Sequence, residues 1–310
     1  MMYPWDSNRH EFRTLIVRAD ATSKMGAGHI MRCLALAQAF QDREGHVTFI
    51  LNSNSPVLEN RLRLEGIDVV HLSGEQELGS RRDSNQSVSI AKEKKAEWAV
   101  LDGYHFGGDY QKAFKDEGFK VLAIDDYGHA GYYWADLVLN QNLQADESFY
   151  RKKKSYTRLL LGLSYLLLRR EFLKWKKQNR EIPDVGKRIL VTLGGGDFNN
   201  VTSKVIQALS MLRLENLEIV TLVGPSNDHY KLLQKVADAS PHRVRLKRNV
   251  TDMPEILDSS DLAISAGGST CWELAFLGIP AAILVLAENQ RFNAIKMDEA
   301  CAAVNLGFDH

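Results

Sequence analysis

The sequence has no surplus of charge of either sign: Lys and Arg together number 39, and so do Asp and Glu. Without a net field nothing recruits nucleic acid or an anionic membrane, so neither is expected as a partner. Cysteine is scarce. Cys33, Cys271 and Cys301 are odd in number and show no CxxC spacing, which argues against a disulfide framework or a zinc site and for a reducing cytoplasm. No apolar run approaches the length of a membrane span, and Met1 to Phe12 lacks the apolar core of a signal peptide. Missing too are a P-loop, a full GxGxxG fingerprint and an acidic DxD motif. ATP hydrolysis is therefore set aside, and no metal or cofactor is expected.

What is present is ordinary for a globular protein, with 45% hydrophobic and 25% charged residues. A chain of 310 residues is long for one core and suits two domains. Strand and helix patterns alternate from Thr14 onward, which implies parallel sheets covered by helices on both faces. The polar stretch Gly74 to Ser87 is read as a loop. The charged stretch 168–186 changes character and is read as a linker between domains 13–167 and 187–310. The last strand is expected over Ala281 to Leu286 and the last helix over Asn289 to Ala302. The fold class is thus α/β, with two doubly wound, Rossmann-like domains facing each other, whose ligands bind beyond the carboxyl ends of the strands.

Three strand-to-helix turns are rich in glycine: Gly26-Ala27-Gly28, Gly194-Gly195-Gly196 and Gly267-Gly268. Each can present backbone N–H groups to phosphate. His29 follows the first turn at a helix start, where the positive end of the dipole favours the uncharged, proton-accepting imidazole. Asp197 suits a helix cap better than a phosphate site. Glu273 lies three residues after Thr270, which fits a ribose-binding carboxylate and a capping box equally. Asp102-Gly103-Tyr104-His105 and Asp125-Asp126-Tyr127 end neighbouring strands, where polar clusters read as a site. Trp98, Trp134 and Trp272 read as packing residues.

Taken together these stretches resemble a family. Arg18-Ala19-Asp20 with Gly26-Ala27-Gly28-His29-Ile30-Met31-Arg32, then Leu101-Asp102-Gly103-Tyr104, Ile124-Asp125-Asp126, Gly194-Gly195-Gly196-Asp197, Ser265-Ala266-Gly267-Gly268-Ser269-Thr270 and Ala287-Glu288-Asn289-Gln290 are similar to the UDP-2,4-diacetamido-2,4,6-trideoxy-β-L-altropyranose hydrolases of pseudaminic acid biosynthesis. The second half is more distantly similar to the N-acetylglucosaminyltransferase that makes lipid II, and both have the GT-B architecture. The resemblance implies His29 as general base. It implies a sugar site drawn from Arg18, Asp20, Gly28, Asp102, Tyr104, Asp126, Asn289 and Gln290. It also implies a UDP site in the second domain: Val250 and Met253 at uracil, Glu273 at ribose, and Gly195, Gly196, Gly267, Gly268, Ser269 and Thr270 around the diphosphate. A UDP-sugar substrate, inversion at the anomeric carbon and a monomer are expected on the same ground. The alternatives are a GT-B glycosyltransferase using a UDP-acetamido-sugar donor and a nucleotide-sugar binding protein without turnover. Two features depart from the pattern: the tail Met1 to Phe12, and a chain that stops soon after its last expected helix, where many GT-B proteins return a helix to the first domain.

Overall fold

The computed structural model of the chain describes residues 13–21, 26–74, 76–176, 180–195, 197–224, 227–248, 250 and 252–308. In order, the first half runs β1 (Thr14–Ala19), α1 (Gly28–Gln41), β2 (His46–Leu51), α2 (Pro56–Leu64), β3 (Asp68–His71), α3 (Arg81–Glu93), β4 (Trp98–Asp102), α4 (Gly108–Asp116), β5 (Lys120–Ile124), β6 (Leu137–Asn140) and β7 (Arg158–Leu161). A short helix α5 (Arg170–Leu173) leads into β8 (Arg188–Thr192), α6 (Val201–Ser210), β9 (Glu218–Leu222), α7 (Tyr230–Asp238), β10 (Arg243–Lys247), α8 (Met253–Asp258), β11 (Leu262–Ala266), α9 (Thr270–Phe276), β12 (Ala281–Val285), α10 (Glu288–Glu299) and β13 (Val304–Phe308).

The strands form two sheets, ordered β3-β2-β1-β4-β5-β6-β7 and β10-β9-β8-β11-β12-β13, and neighbouring strands pair in parallel. Each sheet reverses its strand order beside its first strand, between β1 and β4 in one and β8 and β11 in the other. Such switch points open a crevice at the strand ends. The glycine turns after β1, β8 and β11 sit at these two crevices.

Strand alternation decides which side chains can reach them. In β1, Leu15, Val17 and Ala19 pack toward α1, whereas Ile16 faces the other core with Phe106, Tyr110 and Phe114 of the α4 region. Arg18 shares the side of Ile16. It is fully buried, donates Nε and Nη2 to Asp83 of α3 at 3.1 and 2.8 Å, and pairs with Asp20. Asp20 spends its other oxygen on the N–H groups of Asn52 and Ser53. Neither Arg18 nor Asp20 is among the residues that line the cleft described below; both are buried and brace the base of the first crevice.

Two expectations change. Much of the polar stretch 74–87 is helix: Ser80 caps α3 by accepting from the Asp83 N–H. The buried side of α3 is Asp83, Ser84, Ser87, Val88 and Ala91, so its amphipathic period is carried largely by polar residues. In the second half a strand, β13, follows the last helix and pairs with β12. No described helix is long and apolar enough to cross a membrane.

Asp125 anchors the turn after β5, accepting from the N–H groups of Tyr127 and Gly128 and from the Tyr133 hydroxyl, with His129 Nδ1 at 2.7 Å. Burial pushes this carboxyl up, but His129, Tyr133 and the Gly128 N–H outweigh it and bring it to about 2. Asp83 is likewise lowered, Arg18 overcoming the effect of burial. Both carboxyls are held below the ordinary value near 3.9, so the stability they confer is present above about pH 4 and is lost as the pH falls, for Asp125 toward about 2. Acid titration of folding should show that loss, and its slope should diminish in Asp125→Asn. Asp83→Ala, which removes one of the two carboxylates paired with the buried Arg18, should cost about 3–5 kcal/mol in urea denaturation at pH 7.

Candidate active site

A cleft of about 860 Å³ lies between the two sheets and takes residues from both. The three glycine turns meet in it. Gly26 adopts φ +71°, a left-handed conformation that favours glycine. A Cβ built on Gly28 would stand 3.7 Å from Ser269 Oγ, and one on Gly195 would stand 3.5 Å from the Ala27 nitrogen. Gly224 has no room at all, since its Cβ would lie 2.2 Å from the Gly195 carbonyl oxygen.

The first-domain wall is built on Asp102, the last residue of β4. It shares the side of Val100, which faces α1, and so it lies beneath the start of that helix. Fully buried, it gathers His29 Nδ1 at 2.7 Å, Arg32 Nε and Nη2 at 2.7 and 2.6 Å, and Cys33 Sγ at 3.3 Å. Burial alone would raise this carboxyl, but Arg32 and His29 reverse the effect and hold it well below the usual range. An ionised carboxylate only accepts hydrogen bonds, so His29 Nδ1 carries the proton that points at it. Nε2 is then the nitrogen with a lone pair to offer, on a ring that lines the cleft. Asp102 itself does not line the cleft; it is buried behind His29 and fixes the orientation of that ring.

Arg32 continues to Asp126, whose Oδ1 also accepts from Asn142 and whose Oδ2 accepts from Tyr104. Asp126 reaches the cleft with both oxygens already engaged. The Tyr104 ring meets His29 edge-on at 5.1 Å, and its hydroxyl accepts from Asn289 Nδ2 at 3.0 Å, a bond between the two domains. Asn289 thus keeps its carbonyl oxygen for another donor.

In the second domain, Gly195, Val250, Met253, Gly267, Gly268, Ser269, Thr270 and Glu273 line the cleft; Gly196 lies outside the described residues. The N–H groups of Gly268, Ser269 and Thr270 have no acceptor among the described residues, whereas that of Gly267 is held by Gln290 Oε1. Gln290 also accepts from the Leu286 N–H, so it shapes the turn. Asp197 accepts from the N–H groups of Val201 and Thr202, the cap its position suggested. Glu273 forms no capping box. Its Oε1 takes Arg169 Nε and Nη2 at 3.2 and 2.7 Å, which leaves Oε2 for a ligand hydroxyl. Burial raises this carboxyl against the pull of Arg169.

Arg32, Asn142 and Arg169 are cleft residues that sequence reasoning passed over. Arg32 had a signal, since it lies three residues after His29 on one helix face. Asn142 follows β6 as Tyr104 follows β4. Arg169 was hidden in a charged stretch read as linker.

Residues 188–307 match the glycosyltransferase family 28 C-terminal domain. The chain is 27% identical over 284 residues to the UDP-2,4-diacetamido-2,4,6-trideoxy-beta-L-altropyranose hydrolase of Campylobacter jejuni, covering 90% of this chain and 94% of that protein. It is 26% identical over 284 residues to the uncharacterized protein MJ1062 of Methanocaldococcus jannaschii, covering 89% of this chain but only 56% of that longer protein. Among solved structures, MurG of Acinetobacter baumannii superposes with a TM-score of 0.63 at 16% identity, over 95% of this chain and 86% of that one, which shows a shared fold. The chain has the GT-B architecture, carries a glycosyltransferase family 28 C-terminal domain, and is related along nearly its whole length to the UDP-diacetamido-trideoxy-altropyranose hydrolases.

Proposed function

We propose that this protein hydrolyses UDP-2,4-diacetamido-2,4,6-trideoxy-β-L-altropyranose to UDP and the free sugar, with inversion at the anomeric carbon. One observation carries the chemistry: the buried Asp102 carboxylate fixes His29 with Nε2 toward a cleft whose far wall offers unengaged N–H groups at 268–270. The name of the Campylobacter relative supplies the sugar.

In this reading uracil lies by Val250 and Met253, ribose on Glu273 Oε2, and the diphosphate at the 268–270 turn. Tyr104 and Asn289 hold the sugar. A water between His29 and the anomeric carbon loses a proton to Nε2 as its oxygen bonds to that carbon. The bond from carbon to the diphosphate oxygen breaks, and its electron pair leaves with UDP. The backbone donors stabilise the charge that collects there, so no strong acid is required. Because the base and the diphosphate turn come from opposite domains, attack is in line and the anomer inverts. One chain supplies every group, which suits a monomer. Buried, unpaired Cys33 and Cys271 suit a reducing cytoplasm.

His29→Asn should keep the fold and bind substrate while turnover falls by roughly 10²–10⁴-fold, or about 3–5 kcal/mol of barrier. In ¹⁸O-water the label should enter the sugar, with the inverted anomer seen first by NMR; label on UDP would mean attack at phosphorus and would sink the scheme. Product that appears only when a hydroxyl acceptor is added would turn the assignment to a transferase. Calorimetry should find UDP binding unaffected by EDTA and clearly weakened in Glu273→Ala. Unchanged affinity in that variant would remove Glu273 from the ribose.

A further inference from the structure

The segment between the domains does more than join them. Arg169 Nε and Nη2 bind Glu273 on α9, and its Nη1 donates to Glu171 Oε1 at 2.9 Å. Glu171 Oε1 also accepts from Arg61 of α2 at 3.0 Å, and Oε2 accepts from Gln38 of α1 at 3.2 Å. Gln38 is only 1% exposed, and its own Oε1 accepts from the Arg170 N–H at 2.8 Å. A continuous chain of charge-assisted bonds therefore runs from Glu273 through Arg169 and Glu171 to Gln38. Gln38 sits on the same helix as His29, about 13–14 Å further along its axis at 1.5 Å per residue.

Charge-assisted contacts of this kind, with a planar guanidinium held between two carboxylates, fix geometry as well as add energy. Arg169 lines the cleft beside the free oxygen of Glu273, so a ribose there meets the end of the chain directly. We infer that Arg169 and Glu171 are positioning residues that couple ribose occupancy of the second domain to the placement of α1, and through it of His29, in the first. The inference rests on the nucleotide-sugar reading above and goes beyond it. Neither residue touches the anomeric carbon. Their part is to turn the binding of a remote piece of substrate into alignment of the base, so the loss of a ribose hydroxyl should appear in kcat as well as KM.

The test uses the full chain and UDP alone, then the UDP-sugar. In wild type, UDP should slow amide exchange at residues 35–41, the end of α1 remote from the diphosphate turn, by threefold or more, and 2′-deoxy-UDP should do so less. Glu171→Ala cuts the charged links from Arg169 to Gln38 of α1 and Arg61 of α2, and leaves the Arg169–Glu273 pair and the Arg170 contacts with Gln38. It should still bind UDP within roughly threefold of wild type, lose the protection at 35–41, and show kcat lowered roughly 10–100-fold, the scale of a small misplacement of a catalytic group. Glu171→Gln, which keeps the acceptor oxygen, should recover part of that rate and covers the case in which the alanine variant folds poorly. Protection and kcat that persist in both variants overturn the coupling, as does a fall in kcat/KM that is all in KM. Wild type that binds UDP without protection of 35–41 overturns the coupling and leaves the hydrolase reading standing. Wild type that binds no UDP removes both.

Discussion

A carboxylate buried away from water stays ionised only if donors surround it, and Asp102 is where this chain meets that demand. Its two oxygens are met by an imidazole, a guanidinium and a thiol, all from the first two turns of α1. The arrangement sets the helix on the sheet and sets the tautomer of His29 in one stroke. Arg32 then carries the constraint outward to Asp126, and Tyr104 carries it across to Asn289 of the second domain. The catalytic wall and the domain contact hang from one strand end.

The same economy governs the second domain, with backbone in place of side chains. Gln290 and Asn293 hold the N–H and the carbonyl of Gly267, which shapes the turn that follows β11. The turn's next three residues line the cleft, and their N–H groups have no acceptor among the described residues. Close approach of Gly28 to Ser269 and of Gly195 to Ala27 brings this backbone to the histidine wall.

The fold was legible because buried parallel strands write themselves as apolar runs between helical periods, as β1, β2, β4, β5 and β8 do, whereas β13, with no buried residue, does not. That His29, Tyr104 and the glycine turns share one cleft was legible from their places at the ends of neighbouring strands, where polar residues cluster. Helix α3 was missed because its inward side is Asp83, Ser84 and Ser87, chosen to meet Arg18, so hydrophobic periodicity had little to report. A motif gives sequence neighbours, while alternation along β1 sends Arg18 to the opposite core, which no local pattern announces. The choice between cap and ligand at Glu273 turned on Arg169, more than a hundred residues away, and no local pattern holds such information.

The strand order has a bearing on how the protein comes into being. β1 lies inside its sheet, and one of its two neighbours is the central strand β4, whose residues 98–102 are made long after residues 14–19. Pairings so distant in sequence are slow to form, because the intervening chain must first be gathered. On the ribosome, β1 and β2 can meet early, but the face of α1 that carries His29 waits for Asp102. A nascent first half therefore has its histidine long before it has the carboxylate that orients the ring, and the cleft wall is complete only when β4 joins the sheet.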